Sequence, residues 1–230
     1  MVASSLQEVN ARIHTAASAA GRPDPRLLAV AKTQPAQAIA ALAAQGQRAI
    51  GENYVQEAAA HQRDLAALGP THDLEWHLIG HLQSNKAREA ATLFDWVQTL
   101  DRGKLIGALA RHRPADRSPL NVLIQVNIDD ESSKHGCAPG AVATLAAAVA
   151  DEATLCLRGL MAIPAPAPDP AVRSAAFMRM RALFEDLRRS HASVDTLSMG
   201  MSDDLELAVA EGATMVRIGT ALFGARPLAS

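Results

Sequence analysis

Aromatic side chains are scarce in this 230-residue chain, and neither sign of charge prevails. Phe, Tyr and Trp make up 3% of the residues, which disfavours the stacking surfaces that bind bases or sugars. The formal net charge is −2, so the composition lacks the basic excess that nucleic acid or anionic lipid attracts. We therefore expect no nucleic-acid partner and no membrane partner.

Cysteine is also rare, and long apolar runs are missing. Cys137 and Cys156 are too few for a disulfide scaffold, and the chain does not open with a cationic leader before an apolar run. The longest apolar stretch, 141–150, is too short to span a bilayer. These features predict a soluble protein of the reducing cytoplasm.

Short apolar runs alternate with segments of helical spacing along the whole chain. The predicted strands are 27–32, 49–54, 74–80, 95–101, 120–128, 156–163, 196–200 and 215–219. The predicted helices are 36–44, 55–68, 87–93, 104–111, 141–153, 171–189 and 203–211, with an additional amphipathic segment at 5–19. The Ala/Pro tract 164–170 predicts a stiff, extended loop that acts as a spacer or a flap.

Regular βα units without a change of character predict one domain over residues 1–230. The fold class is α/β, and a closed TIM (β/α)8 barrel with an additional N-terminal helix explains the spacing best. An open, doubly wound sheet is the alternative architecture. In such a barrel, polar residues that close a strand are the candidates for chemistry, because loops at the carboxyl ends of the strands build the functional face.

Lys32 closes the first apolar run, on the same face as Leu28 and Val30. Partial desolvation there favours the neutral amine, which can attack an aldehyde and form a Schiff base. A rim lysine that extends its charged end into water explains the position equally well.

The last two strands end in small and hydroxylic residues. Ser198, Met199 and Gly200 close the seventh strand, and Gly219 and Thr220 close the eighth. Phosphate sites in such barrels are commonly built from these two turns and a short extra helix. Two ordinary βα turns are the alternative, but the placement favours phosphate.

Arg217 lies inside the eighth strand, between Val216 and Ile218. A guanidinium in a barrel core needs a partner, because a buried unpaired charge is costly. Glu52 or Asp101 would be a structural partner. The ring nitrogen of a heterocyclic cofactor between Lys32 and the phosphate turns is the functional alternative.

Other polar residues carry weaker signals. His77 and His81 are four residues apart in a strand and turn, which does not give the shared face of a helical metal pair, so we expect no metal. Lys134 is a candidate rim lysine, and Cys137 is a candidate thiol, although most lone cysteines are inert.

Six ordered segments closely resemble the pyridoxal phosphate homeostasis proteins, the YggS/PROSC family. They are Ala-Val-Ala-Lys-Thr-Gln around Lys32, Gly-Glu-Asn-Tyr-Val-Gln-Glu from Gly51, Trp-His-Leu-Ile-Gly from Trp76 with Leu-Gln-Ser-Asn-Lys from Leu82, Gly-Leu-Met-Ala-Ile-Pro from Gly159, Ser-Met-Gly-Met-Ser-Asp from Ser198, and Val-Arg-Ile-Gly-Thr from Val216 with Phe-Gly from Phe223. The match runs from about Leu27 to Arg226, which makes it highly specific.

The resemblance implies a barrel like the N-terminal domain of bacterial alanine racemase, with pyridoxal 5'-phosphate held as an imine by Lys32. It implies that Arg217 faces the pyridine nitrogen. The residues implied around the phosphate are Ser198, Gly200, Gly219 and Thr220, and those implied near the ring are Asn53 and Met199.

Members of this family are described as regulating free pyridoxal phosphate without an established catalytic reaction. The resemblance therefore implies a non-catalytic reservoir or carrier in cofactor homeostasis, with pyridoxal-phosphate-dependent apoenzymes as partners, and we expect a monomer. An amino-acid racemase is the second hypothesis, but it needs another acid/base opposite the lysine, and we expect no additional domain to supply one. A lysine aldolase acting on phosphorylated sugars is a third, which would not need Arg217 beside a ring.

Overall fold

The computed structural model describes residues 2–69, 73–129, 135–165 and 169–224. Its strands are β1 (Arg26–Val30), β2 (Ala49–Glu52), β3 (Glu75–Leu78), β4 (Trp96–Leu100), β5 (Leu120–Gln125), β6 (Leu155–Met161), β7 (Thr196–Ser198) and β8 (Met215–Ile218). Consecutive strands pair in parallel, and β8 also pairs with β1, which closes the barrel. The predicted TIM barrel is confirmed, and the open-sheet alternative is wrong.

Helices surround the barrel: α1 precedes β1, and each strand is then followed by one helix. They are α1 (Val2–Ala19), α2 (Ala36–Ala44), α3 (Val55–Leu68), α4 (Ala87–Leu93), α5 (Gly103–His112), α6 (Val142–Ala150), α7 (Pro170–Ser190), α8 (Leu205–Ala210) and α9 (Thr220–Phe223). Within the described residues, none of these helices is both long and apolar enough to span a membrane.

The helix α1 completes the outer ring. It packs against α2, α8 and α9, and it buries Leu6, Val9 and Ile13 among other apolar residues. The last helix, α9, has four residues and cannot cover the flank of the barrel. The amphipathic N-terminal segment therefore takes the place that a full-length eighth helix would occupy, as predicted.

Two apolar layers are separated by the pleat of the strands, because successive side chains of a strand point to opposite faces. One set fills the barrel, including Leu28, Met215 and, in a separate cluster, Trp96 and Leu123. The other set lies in the large core between barrel and helices. The barrel also buries the polar side chains of His77, Gln98, Ser198 and Arg217.

Strands end earlier than the apolar runs predict. β1 ends at Val30, β5 at Gln125 and β6 at Met161, although the runs continue to residues 32, 128 and 163. The extra residues form the first part of each loop on the functional face. In the predicted stiff tract 164–170, residues 166–168 lie outside the described residues, and Asp169 caps α7 by accepting a hydrogen bond from the Ala171 amide.

Candidate functional site

A cavity of about 720 Å³ opens at the carboxyl ends of β1, β2 and β8. Five of the eight predicted site residues line it: Lys32, Asn53, Arg217, Gly219 and Thr220. Distant parts of the chain therefore meet at the face where the sequence predicts chemistry. Closure of the barrel brings Lys32 close to Arg217 and Thr220, because it places β1 directly beside β8.

Lys32 lies on the loop between β1 and α2 and is half-buried. Its amine makes no hydrogen bond or ion pair with another described residue. The next residue, Thr33, has a φ of 61°, and the Gln34 amide donates to the Ala31 carbonyl at 2.9 Å. A β-branched residue in the left-handed region costs on the order of 1–3 kcal/mol, so the turn beside Lys32 stores local strain.

The turn from β8 into α9 forms another part of the wall. Gly219 lies so close to β1 that a Cβ added there would be 3.3 Å from the Val30 carbonyl oxygen. The amides of Leu222 and Phe223 both donate to the Gly219 carbonyl. The first N–H groups of a helix have no partner within it, so the turn at Thr220 offers donors, together with the Thr220 hydroxyl, to an anion.

Arg217 is only 4% exposed, yet its side chain reaches the cavity. Nη1 donates to the Ser198 hydroxyl oxygen at 2.8 Å, and Nη2 donates to the Ala162 carbonyl at 2.8 Å. Burial lowers the pKa of Arg217 to about 10, while the charge of Asp204 acts in the opposite direction. The guanidinium therefore stays charged at neutral pH, although both of these hydrogen-bond partners are uncharged.

Glu52 and Asp101 do not pair with Arg217. Glu52 is hydrogen-bonded to His61 Nδ1 at 2.7 Å, and Asp101 accepts a hydrogen bond from Arg102 at 2.6 Å. Burial raises the pKa of Glu52, and the hydrogen bond to Glu52 raises the pKa of His61. The structural partners that the sequence suggested for Arg217 are therefore wrong.

Three predicted site residues, Ser198, Met199 and Gly200, do not line the cavity. Ser198 points into the barrel, where its hydroxyl donates to Gln98 and accepts from Arg217. Met199 belongs to the core between barrel and helices, because the pleat turns it outward. Gly200 has a φ of 92°, and a Cβ there would lie 2.4 Å from the Cβ of Ala208. The Ser198 hydroxyl is thus already hydrogen-bonded to Gln98 and Arg217. The expected position of the Met199 side chain beside the cavity is not observed.

Three residues at or beneath this site, Gln98, His77 and Arg12, are not among the residues predicted from the sequence. Gln98 and His77 are polar residues that are fully buried within short barrel strands, and a polar residue at an interior strand position is the signal that could have found them. Arg12 reaches the cavity from α1 and donates to the Ser202 carbonyl at 3.1 Å and to Glu206 at 2.9 Å. No sequence pattern distinguishes it from a solvent-facing helical arginine.

The family model described as the N-terminal domain of alanine racemase matches residues 4–227. A protein of Pseudomonas aeruginosa named "Pyridoxal phosphate homeostasis protein" is 54% identical over 228 residues, which cover 98% of this chain and 96% of that protein. The Escherichia coli K12 protein of the same name is 51% identical, covering 98% of this chain and 97% of that protein. The chain belongs to the pyridoxal phosphate homeostasis protein family.

A solved structure with the same architecture is PipY of Synechococcus elongatus, described as having PLP bound. It aligns with a TM-score of 0.81 at 35% identity and covers 97% of this chain and 100% of that one. D-threonine aldolase of Filomicrobium marinum aligns with a TM-score of 0.74 at 20% identity, covering 96% of this chain and 59% of that one, which shows a shared fold alone.

This member of the pyridoxal phosphate homeostasis protein family has a second cavity beside the first, lined by Tyr54, His81 and His135 among others. The two imidazole rings stack at 3.8 Å, and His81 Nδ1 lies 3.7 Å from Asp101. Burial lowers the pKa of His81, and the charges of His135 and Arg102 act in the same direction. The three groups are close enough to hold an ion, but Arg102 pairs with the carboxylate and opposes a cation.

The remaining candidates add no chemistry to the site. Lys134 lies outside the described residues. Cys137 is buried, and burial raises the pKa of its thiol to about 11, so it is mostly protonated at neutral pH and its reactivity is low.

Proposed function

We propose that this chain binds pyridoxal 5'-phosphate in the cavity at β1 and β8 and serves in intracellular cofactor homeostasis as a reservoir or carrier. The observation that carries the proposal is that Lys32, Arg217 and the turn at Thr220 line one cavity. They offer an amine, a buried cation and free N–H donors. These groups match the aldehyde, the ring nitrogen and the phosphate of that cofactor.

Lys32 is the covalent anchor in this proposal. Its amine nitrogen attacks the aldehyde carbon, and the aldehyde oxygen leaves as water, so that a carbon–nitrogen double bond holds the ligand. Support comes from the amine itself, which no other described residue engages. Asn53, which follows β2 and also lines the cavity, contacts the ring in this proposal.

Thr220 and Gly219 bind the phosphate in this proposal. The close approach of Gly219 to β1 leaves no room for a side chain between them without displacing Val30, and the amides that open α9 point free of helical partners. Ser198, Met199 and Gly200 do not line this cavity, so in this proposal they form the layer behind the phosphate and the ring: Ser198 supports Arg217 through its hydroxyl, Met199 packs in the outer core, and Gly200 lets the backbone approach Ala208.

Arg217 determines how the bound ring behaves. The cofactor supplies an aldehyde for covalent attachment and a ring that accepts electrons when a bond at an amino-acid α carbon breaks. Arg217 donates hydrogen bonds and does not give up its proton, so it favours an unprotonated ring nitrogen. An unprotonated ring is a weaker electron acceptor, which favours holding the cofactor over using it.

A racemase-like enzyme is the second candidate function, since the matching family model is that of the alanine racemase N-terminal domain. Racemisation requires an acid/base on each face of the substrate. The single tyrosine of the chain, Tyr54, is 58% exposed and lines the second cavity rather than the first. We therefore favour the carrier.

The two functions are separated by assays on the same loaded protein. The carrier predicts that loaded protein activates a pyridoxal-phosphate-dependent apoenzyme while showing negligible racemase, transaminase and decarboxylase turnover. A positioned acid or base is typically worth about 10²–10⁴ in rate, so its lack leaves little activity. Robust turnover by the unmodified protein would replace the carrier with the enzyme.

A further inference from the structure

Five side chains form a continuous hydrogen-bonded series through the barrel beneath Arg217. Arg217 donates to the Ser198 oxygen at 2.8 Å, and the Ser198 hydroxyl donates to Gln98 Oε1 at 2.7 Å. Gln98 Nε2 lies 3.0 Å from His77 Nδ1, and His77 Nε2 lies 2.7 Å from Glu75 Oε1. The series therefore begins at the cavity and ends at Glu75, the first residue of β3, at the opposite end of the barrel.

The two ends of the series fix the direction of every hydrogen bond between them. Arg217 can only donate, so the proton of Ser198 must point away from it, toward Gln98. Gln98 then uses its carbonyl oxygen for Ser198 and its amide N–H for His77 Nδ1. His77 must therefore carry its proton on Nε2, where the carboxylate of Glu75 accepts it.

The surroundings hold the middle of the series in this state. His77 is fully buried, and its ring stacks on Trp96 with centroids 5.1 Å apart. Burial lowers the pKa of His77, which keeps the imidazole neutral, although Glu75 acts against this. Burial opposes ionisation of Glu75, but His77 and Arg26 together lower its pKa to about 2. The terminal acceptor is thus a carboxylate at neutral pH.

We propose that Gln98 and His77 are positioning residues. Through Ser198 they fix the position of the Arg217 guanidinium, so that its remaining N–H groups donate into the cavity. The carboxylate of the series, Glu75, stands at the far end of the barrel, and within the described residues Arg217 is held in place without a hydrogen bond to a carboxylate. The proposal rests on the proposed function, because the group that Arg217 faces is the ring nitrogen. It predicts that the series selects ligands whose ring presents a hydrogen-bond acceptor.

The test compares the affinity of the full chain for pyridoxal 5'-phosphate with its affinity for the 1-deaza analogue, in which a C–H replaces the ring nitrogen. We expect the unmodified protein to favour the natural ligand about tenfold or more, as a hydrogen bond to a charged donor implies. Gln98→Met removes the hydrogen bonds that join Gln98 to Ser198 and to His77 at similar volume, and this preference should fall toward unity. Leu123→Met is the matched control inside the barrel, and it should keep the preference.

Folding and imine formation are measured in the same samples, by urea unfolding and by the visible absorption band. If Gln98→Met does not fold, Ser198→Ala breaks the same series with a smaller change and carries the same expectation, while Ser198→Thr should restore the preference. A folded Gln98→Met protein, or a folded Ser198→Ala protein, with the full preference would overturn the inference and leave the proposed function intact. Equal affinity of the unmodified protein for both ligands would also overturn it. Absence of binding of pyridoxal 5'-phosphate would instead overturn the proposed function.

Discussion

At the scale of single residues, Arg217 and Thr220 offer two different kinds of contact in one cavity, a buried charged donor and an exposed hydroxyl. Arg217 is buried, charged and hydrogen-bonded to neutral groups, so it can donate to an acceptor in the ligand. Thr220 is exposed on the wall and begins α9. Substitutions at the two positions should therefore weaken contacts to different parts of one ligand.

Replacing Thr220 by Val should weaken binding of pyridoxal 5'-phosphate much more than binding of unphosphorylated pyridoxal. The lost hydrogen bond to a charged phosphate is worth roughly 1.5–3 kcal/mol. Dissociation constants for both ligands, measured by absorption titration, provide the test. Ser198→Ala is the contrasting variant, because its hydroxyl lies in the barrel interior and its loss should affect both ligands alike. Equal losses in Thr220→Val would remove Thr220 from the phosphate site.

Replacing Arg217 by Glu should increase α-proton exchange in amino acids bound to the loaded protein. A carboxylic acid can share a proton with the ring nitrogen, whereas a guanidinium cannot, and a protonated ring accepts electrons better. Deuterium incorporation followed by NMR measures the effect, with Arg217→Met as the control that removes charge without offering a proton. Unchanged exchange in a fully loaded Arg217→Glu protein would contradict the electronic role of Arg217.

At the scale of elements, the connection from β7 to α8 depends on close packing at Gly200. Its φ of 92° lies in the left-handed region, and a Cβ there would meet Ala208 at 2.4 Å. Arg12 of α1 donates hydrogen bonds to the Ser202 carbonyl in the same connection and to Glu206 in α8. This part of the cavity wall is thus held by an approach between elements that only glycine permits.

Gly200→Ala should lower the free energy of unfolding by about 2 kcal/mol or more, since it combines backbone strain with a steric clash. Gly107→Ala is the matched control, because it lies within α5 with open space around it and should raise stability by about 0.5–1 kcal/mol. Urea unfolding of both variants provides the comparison. Equal stabilities would show that α8 moves away at little cost.

The elements themselves could be predicted from sequence because their periodicity is local. Eight apolar runs and the helical segments between them specify the barrel, and the residues Lys32 and Arg217 could be assigned to the cavity face from their positions in or beside a strand. The side-chain directions of Ser198 and Met199 could not be read from a turn pattern, because they depend on which of the two residues the pleat turns toward the barrel. The contact from Ser198 to Gln98 joins residues 100 positions apart, so it depends on how the strands are staggered around the barrel.

At the scale of the whole molecule, one series of hydrogen-bonded side chains joins the two ends of the barrel. Glu75 and Arg26 form an ion pair at 2.6 Å where β1 and β3 begin, and His77 joins that pair to the interior. The other end opens into the cavity. Under the proposed function, stability and ligand recognition therefore depend on the same polar series.

The pair at Glu75 makes stability depend on pH in the acid range. Burial opposes the shift, but His77 and Arg26 lower the folded-state pKa of Glu75 from 4.5 to about 2. The stabilisation is thus complete above pH 4.5 and is lost as pH falls from 4.5 toward 2. Glu75→Gln should flatten the decrease of the free energy of unfolding across this window. Glu185→Gln, at an exposed pair on α7, should leave it in place, and an unchanged curve for Glu75→Gln would contradict the assignment.

The central claim is that Lys32 holds pyridoxal 5'-phosphate covalently in this cavity. The most direct measurement is reduction of the loaded protein with borohydride, followed by peptide mass spectrometry. The account predicts loss of the visible imine band and a reduced adduct on the peptide that contains Lys32. In Lys32→Ala the visible band should be absent, while some ligand remains bound through its phosphate. An adduct found only on the peptide of Lys86 or Lys134, with Lys32 unmodified, would contradict the account.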